Sequence, residues 1–132
     1  MIDDLFKSSE DYVPEAVTSQ LEGHFPHCLN VEWSTIENDF EAIFYVDEIE
    51  HIARISAQGK LIEYKKNLKF CDVPSKIKTH CEPYGEIMSA IFICSNSTKK
   101  YEIITQRPLI IRSLLIFSEE GSLLELRGLP AA

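Results

Sequence analysis

The octapeptide SAQGKLIE, Ser56 to Glu63, returns in altered form as SEEGSLLE, Ser118 to Glu125. Other anchors keep the same order and nearly the same distance. Val13-Pro14 returns as Val73-Pro74 at 73 − 13 = 60, Phe40-Glu41-Ala42 as Tyr101-Glu102-Ile103 at 101 − 40 = 61, and Gly59 as Gly121 at 121 − 59 = 62. Self-similarity at a steady spacing means that one supersecondary unit is written more than once. A drift of two residues is what short loop insertions produce. A chain of 132 residues ordinarily makes one domain. This one is expected to be a single domain, 1–132, made of two repeats, 13–68 and 73–129, behind an N-terminal extension, 1–12.

Each half opens on a helical stripe. Val13, Val17, Leu21 and Phe25 recur every four residues, and Val73, Ile77, Cys81 and Tyr84 do nearly the same. Pro14 and Pro74 suit a first helical turn, where a missing N–H is no loss. Pro26 ends the first helix and Pro83 breaks the second. Helices of about three turns are marginal in isolation and need a sheet to lie on. Strand patterns follow: LNVEWSTI, FEAIFYV, HIARIS and KLIEYK in the first half, then EIMSAIFIC, YEIITQ, LIIRSLLIF and SLLELR. Tight turns between them favour antiparallel pairing. The expected fold class is α+β: a tandem repeat of a helix plus about four antiparallel strands, with the helices on one face of a shared antiparallel sheet. Met88, Ala90, Phe92 and Cys94 are expected to share one face of their strand, and Ile87, Ile91 and Ile93 the other.

The formal net charge of −8 repels phosphate backbones, which argues against a nucleic-acid partner. Residues 1–68 hold 14 acidic against 5 basic side chains, and residues 69–132 hold 7 against 8. The acidic field belongs to the first half, as a solubilising surface or one that steers a basic partner. No apolar run is long enough for a bilayer-crossing helix, so membrane insertion is not expected. MIDDLFKSSEDY lacks the basic and apolar regions of a signal peptide. As the chain stands the expected location is the cytoplasm, or the periplasm where a signal has been removed. Cys28, Cys71, Cys81 and Cys94 form no C-x-x-C pair: reducing conditions would keep them as free thiols, oxidising ones allow three pairings.

The residues Val13-Pro14, Val17, Phe25-Pro26, Val31, Trp33, Phe40-Glu41-Ala42, Ile55, Gly59 and Leu61-Ile62-Glu63, followed by a second unit from Asp72-Val73-Pro74 to Leu123-Leu124-Glu125, resemble the PepSY-like bacterial proteins, also described as β-lactamase-inhibitor-protein-like. The resemblance spans roughly residues 12–129 and is structural rather than catalytic. It implies tandem helix-plus-sheet units whose sheets form a shared surface. It also implies a non-enzymatic role in binding, and in some relatives inhibiting, extracytoplasmic enzymes such as proteases or β-lactamases. The second unit departs from the pattern in lacking a Trp.

No constellation commits the chain to a reaction. His24, His27 and Cys28 lie close in HFPHC, and His80 and Cys81 in THCEP, but neither has finger or ribbon spacing and Pro26 breaks the first cluster. No nucleophile elbow or phosphate-cradling glycine loop occurs. Asp47, Glu48 and Glu50 read as a solvated hairpin tip, and Lys65, Lys66 and Lys69 as a solubilising linker between the repeats. Trp33 reads as a core anchor, with a place on the binding face as the alternative. Neither enzymatic activity nor a cofactor is expected. The binding candidate is the sheet face opposite the helices, carrying Glu41, Ile43 and Tyr45, then Glu102, Ile104 and Gln106. Aromatic and charged side chains together make protein-binding surfaces. The expected function is a protein-binding module, with inhibition as one form of that binding. The alternative is a small-ligand binder using a cleft between the repeats.

Overall fold

The computed structural model describes residues 13–108 and 111–130. The expected extension 1–12, and Leu109-Ile110 at the start of the LIIRSLLIF strand, lie outside the described residues. The chain divides into two compact units, residues 1–65 and 66–132.

In the first unit α1 spans Glu15–His24. Its stripe is Val17 and Leu21, one turn apart and both buried. Pro14 stands just before the helix rather than inside it, and its carbonyl accepts from the Val17 and Thr18 N–H groups at 2.9 and 3.1 Å. The helix ends at Phe25, which leaves helical geometry at φ −133°, because the residue before a proline avoids the α region. Strands β1 (Leu29–Ile36), β2 (Asp39–Val46), β3 (Ile49–Ser56) and β4 (Leu61–Asn67) follow in spatial order. Burial alternates along β2 and β3: Ala42 and Phe44, then His51, Ala53 and Ile55, point inward. Of these, Ala42, Phe44, Ala53 and Ile55 join Val17, Leu21 and Trp33 in one core, with Phe25, Phe40 and Leu61 packed at its margin. Burying each of the larger side chains contributes about 1.5–3 kcal/mol, which is what holds a ten-residue helix in place.

A bulge between Leu29 and Glu32 sets the register of β1 so that Trp33 lies opposite Ala42, which in turn lies opposite Ala53. Two small residues in one cross-strand row leave room for the indole. Trp33 is therefore a core residue.

In the second unit a short 3-10 turn, Phe70–Asp72, precedes α2, Ser75–Cys81, and another, Glu82–Tyr84, follows it at Pro83. Then come β5 (Glu86–Ser95), β6 (Thr98–Arg107), β7 (Ile111–Ser118) and β8 (Leu123–Leu129), each paired antiparallel with the next. Val73, Ile77 and Cys81 pack on Ala90, Ile103, Leu115 and Phe117. Leu68 packs on this core as well, and its N–H donates to the Ala90 carbonyl at 2.9 Å.

Two sequence expectations are corrected. A bulge between Ile87 and Ser89 breaks the alternation of β5, so Ile87 packs with Ala90 against the core while Met88 is exposed. Lys65 and Lys66 lie within β4 rather than in a linker, and Lys65 pairs with Glu63 at 3.7 Å.

The two glycine turns are alike in detail. Ser56 N–H donates to the Lys60 carbonyl at 2.8 Å, Gly59 N–H to the Ser56 carbonyl at 2.9 Å, and Lys60 N–H to Ser56 Oγ at 3.1 Å. In the second unit Ser118, Ser122 and Gly121 repeat these bonds at 2.8, 2.9 and 3.1 Å. Gly59 has φ +87° and Gly121 φ +89°, in the region that side chains disfavour.

Candidate functional site

Strand parity decides which side chains face away from each helix. In β2, Ala42 and Phe44 are taken by the core, which turns Glu41, Ile43 and Tyr45 to the opposite face. Their antiparallel partners on β3 are Arg54, Ile52 and Glu50, and β1 places Ser34 opposite Glu41 and Glu32 opposite Ile43. The result is a row of apolar side chains, Ile43 and Ile52, between a tyrosine end and an arginine end.

Tyr45 is 37% exposed, and its hydroxyl donates to Glu50 Oε2 at 3.3 Å. Glu50 beside it raises the phenol above its ordinary value, and Glu32 adds to the effect. That end of the face is thus a region of negative potential. Leu29, 63% exposed, borders a shallow groove of about 330 Å³ together with Asn30, Tyr45 and Glu48. At the other end Arg54 Nε donates to Asp39 Oδ2 at 2.8 Å, and its NH2 group to Glu37 Oε1 at 3.1 Å. The guanidinium is held by its own neighbours, and Glu41 directly across from it is half-buried.

In the second unit Ile103 and Thr105 are fully buried, and Glu102, Ile104 and Gln106 face the other way. Glu102 stands between Ile91 and Ile116, and Ile104 between Ser89 and Leu114. This face is more apolar than that of the first unit, and Leu114 on it is 8% exposed. Each predicted triplet is thus assembled on one strand of its own unit. The flanking residues Glu32, Glu50, Ile52 and Arg54 complete the first face. Alternation in HIARIS would have placed Ile52 and Arg54 there; Glu32 and Glu50 needed the register.

The other candidates fall elsewhere. His24 accepts from Gln20 Nε2 at 2.8 Å, and His80 packs edge-on against Phe117 at 5.7 Å between ring centroids. Cys81 is buried, which pushes its thiol up to about 11, and Cys28, at the margin of the first core, is also raised by burial. All four cysteines are free. Among the described residues no three His, Cys, Asp or Glu side chains converge as a metal site. Asp47 and Glu48 are the two-residue turn between β2 and β3. His51 is a buried residue that sequence reading passed over. Its Nδ1 shares a 2.7 Å hydrogen bond with the Tyr64 hydroxyl, and its ring stacks with Phe44 and Tyr64.

No family model and no curated protein sequence matches the chain. Solved structures share its fold. A BLIP-like protein from Bacteroides fragilis is 15% identical with a TM-score of 0.75, over 93% of this chain and 92% of that one. A DUF2874 family protein from Bacteroides uniformis is 15% identical with a TM-score of 0.76, over 87% and 88%. A provisionally periplasmic protein from Bacteroides eggerthii is 14% identical with a TM-score of 0.77, over 89% of each chain. The chain therefore has an α+β, BLIP-like fold. None of its described helices is long and apolar enough to cross a membrane.

Proposed function

We propose that this chain is a non-enzymatic protein-binding module of two PepSY-like units, which docks a partner protein on the sheet faces opposite its helices. The observation that carries the reading is the face around Tyr45. There an exposed aromatic ring stands beside half-buried Ile43 and among Glu32, Glu41 and Glu50. An aromatic anchor within a polar rim is the composition of a protein interface. The matching turns at Gly59 and Gly121 support descent of both units from one. Glu102, Ile104 and Gln106 are the counterpart surface on the second unit. The BLIP-like neighbour supports inhibition of an enzyme as one form of this binding, and the Bacteroides eggerthii neighbour supports an extracytoplasmic setting for it.

The test uses the tagged chain as bait under native conditions, with the recovered protein identified by mass spectrometry. Tyr45→Ala and Glu41→Lys lie on the open face and are expected to leave the fold intact. Loss of an anchoring aromatic costs about 2 kcal/mol or more, which weakens binding roughly thirtyfold. If every recovered interaction survives both substitutions at wild-type affinity, the sheet face is not the binding surface. The purified partner, assayed for activity with and without the chain, separates inhibition from simple binding.

A further inference from the structure

β8 borders the open face of the second unit, with Arg127 opposite Leu114 and Glu125 opposite Ile116, but the backbone groups of its outer edge take no part in that face. β8 stands last in the strand order, so among the described residues no further strand pairs with it. An unpaired edge presents a row of N–H and C=O groups to any strand that can match it. Many edges are blunted by charge, proline or a bulge. Here the bulge falls at Leu124 and the proline at Pro130, which leaves Glu125 to Leu129 in unbroken register with β7. Leu124 and Leu126 are 60% and 46% exposed, although the register sets Leu126 opposite the fully buried Leu115.

What fits this edge can be read from its charges. Glu125 and Arg127 flank Leu126 and pair with each other at 3.2 Å, both well exposed. A second β8 laid antiparallel with Leu126 opposite Leu126 brings Glu125 opposite the partner's Arg127, and Arg127 opposite the partner's Glu125. Leu124 then meets the partner's Gly128, where there is space for it. Opposite charges directly across an antiparallel pair attract, and like charges repel. Centring the pair on Arg127 instead sets arginine against arginine and Glu125 against the partner's Leu129. The segment is its own complement in one register. We propose that β8 is a dimerisation edge, pairing antiparallel with β8 of a second copy about Leu126. Such an interface is isologous and closes after one addition, so it makes dimers rather than fibres. Its short length places it below the size of permanent interfaces, so it forms with rising concentration.

The test is sedimentation equilibrium of the whole purified chain from about 10 µM to about 1 mM. The wild-type mass is expected to rise from one copy to two. Glu125→Lys faces the partner's Arg127, and Arg127→Glu faces the partner's Glu125, so each variant alone should dimerise about tenfold more weakly. Mixed in equal amounts, the two variants should associate with each other, because every cross pair is again opposite in sign. The double variant should regain self-association. All these changes lie on an exposed face, and circular dichroism verifies that the fold is kept. A wild type that stays monomeric over the whole range overturns the proposal. So do single variants that dimerise as the wild type does, or a mixture that associates no better than its components.

Discussion

Gly59→Ala and Gly121→Ala are the same substitution in the same turn, yet they should not cost the same. Both glycines sit at positive φ, +87° and +89°, where an alanine is disfavoured by about 1–2 kcal/mol. The surroundings differ. A Cβ on Gly59 would come within 2.9 Å of the Ala16 carbonyl oxygen and 3.3 Å of its carbon, backbone atoms in the first turn of α1. Relief requires moving the helix that the core holds, which adds about 1–3 kcal/mol of overpacking. A Cβ on Gly121 would meet Lys76 Cδ at 2.9 Å, a side-chain atom that can swing aside. Gly121→Ala should therefore cost about 1–2 kcal/mol and Gly59→Ala about 2–5 kcal/mol. At about 4 °C per kcal/mol, the melting temperature should fall by about 4–8 °C and about 8–20 °C respectively. Differential scanning calorimetry with urea titration measures both, and if the units melt separately each change acts on its own transition. Gly121→Asn should recover part of the loss, since asparagine tolerates positive φ. Equal losses for the two alanines, or a larger loss at Gly121, would refute the argument from the Ala16 backbone.

Three further outcomes are expected. The β2–β3 turn holds Asp47 at φ +51° and Glu48 at φ +67°, so replacing the pair with Asn-Gly should stabilise the first unit by about 1 kcal/mol in urea denaturation, whereas no gain would mean the turn is not strained. Thr105 is fully buried and its Oγ1 has no hydrogen-bond partner among the described residues; Thr105→Val should raise stability by about 1 kcal/mol, and a loss would reveal a partner for the hydroxyl. The Cys81 thiol, raised by burial from 9.0 to about 11, disfavours the thiolate in the folded chain. Unfolded chains ionise first, so stability from this group is present below pH 9 and is lost as pH rises towards 11. Cys81→Ala should flatten that alkaline decline in urea midpoints relative to wild type, and an unchanged slope would assign the decline to other groups.

How far the fold could be read depends on where parity is kept. Along β2 the core takes every second residue, and FEAIFYV announces this directly. Along β5 the apolar residues are nearly continuous, so composition gives no phase, and the bulge at Ile87–Ser89 reverses it without a glycine to mark the place. Met88 is for that reason expected to share a face with Ala90, yet Ala90 is buried and Met88 is exposed. Trp33 could be recognised as an anchor from its size. The Ala42–Ala53 row that admits it follows from cross-strand register, which neighbouring residues in sequence do not encode.

The site shows the same limit at closer range. Glu41, Ile43 and Tyr45 were legible because one strand places them. The residues that give them their character come from other strands: Glu50 holds the Tyr45 hydroxyl, and Asp39 and Glu37 hold Arg54. This pairing matters for what the face can attract. With Arg54 held by two carboxylates, Glu50 and Glu32 are the charges felt at the tyrosine. Exposed charges act mainly on encounter rate and on the choice of partner, while a partly desolvated ring supplies the durable contact. In the proposed binding role, the first unit's face would favour a basic approach and a hydrophobic landing. The second carries Ile91, Ile104, Leu114 and Ile116 around Glu102, with Arg112, Glu125 and Arg127 beside them, so its charge is mixed in sign. If the two units descend from one, their strands and turns were kept while their open faces diverged. In the proposed binding role, two open faces of different character would meet different parts of a partner.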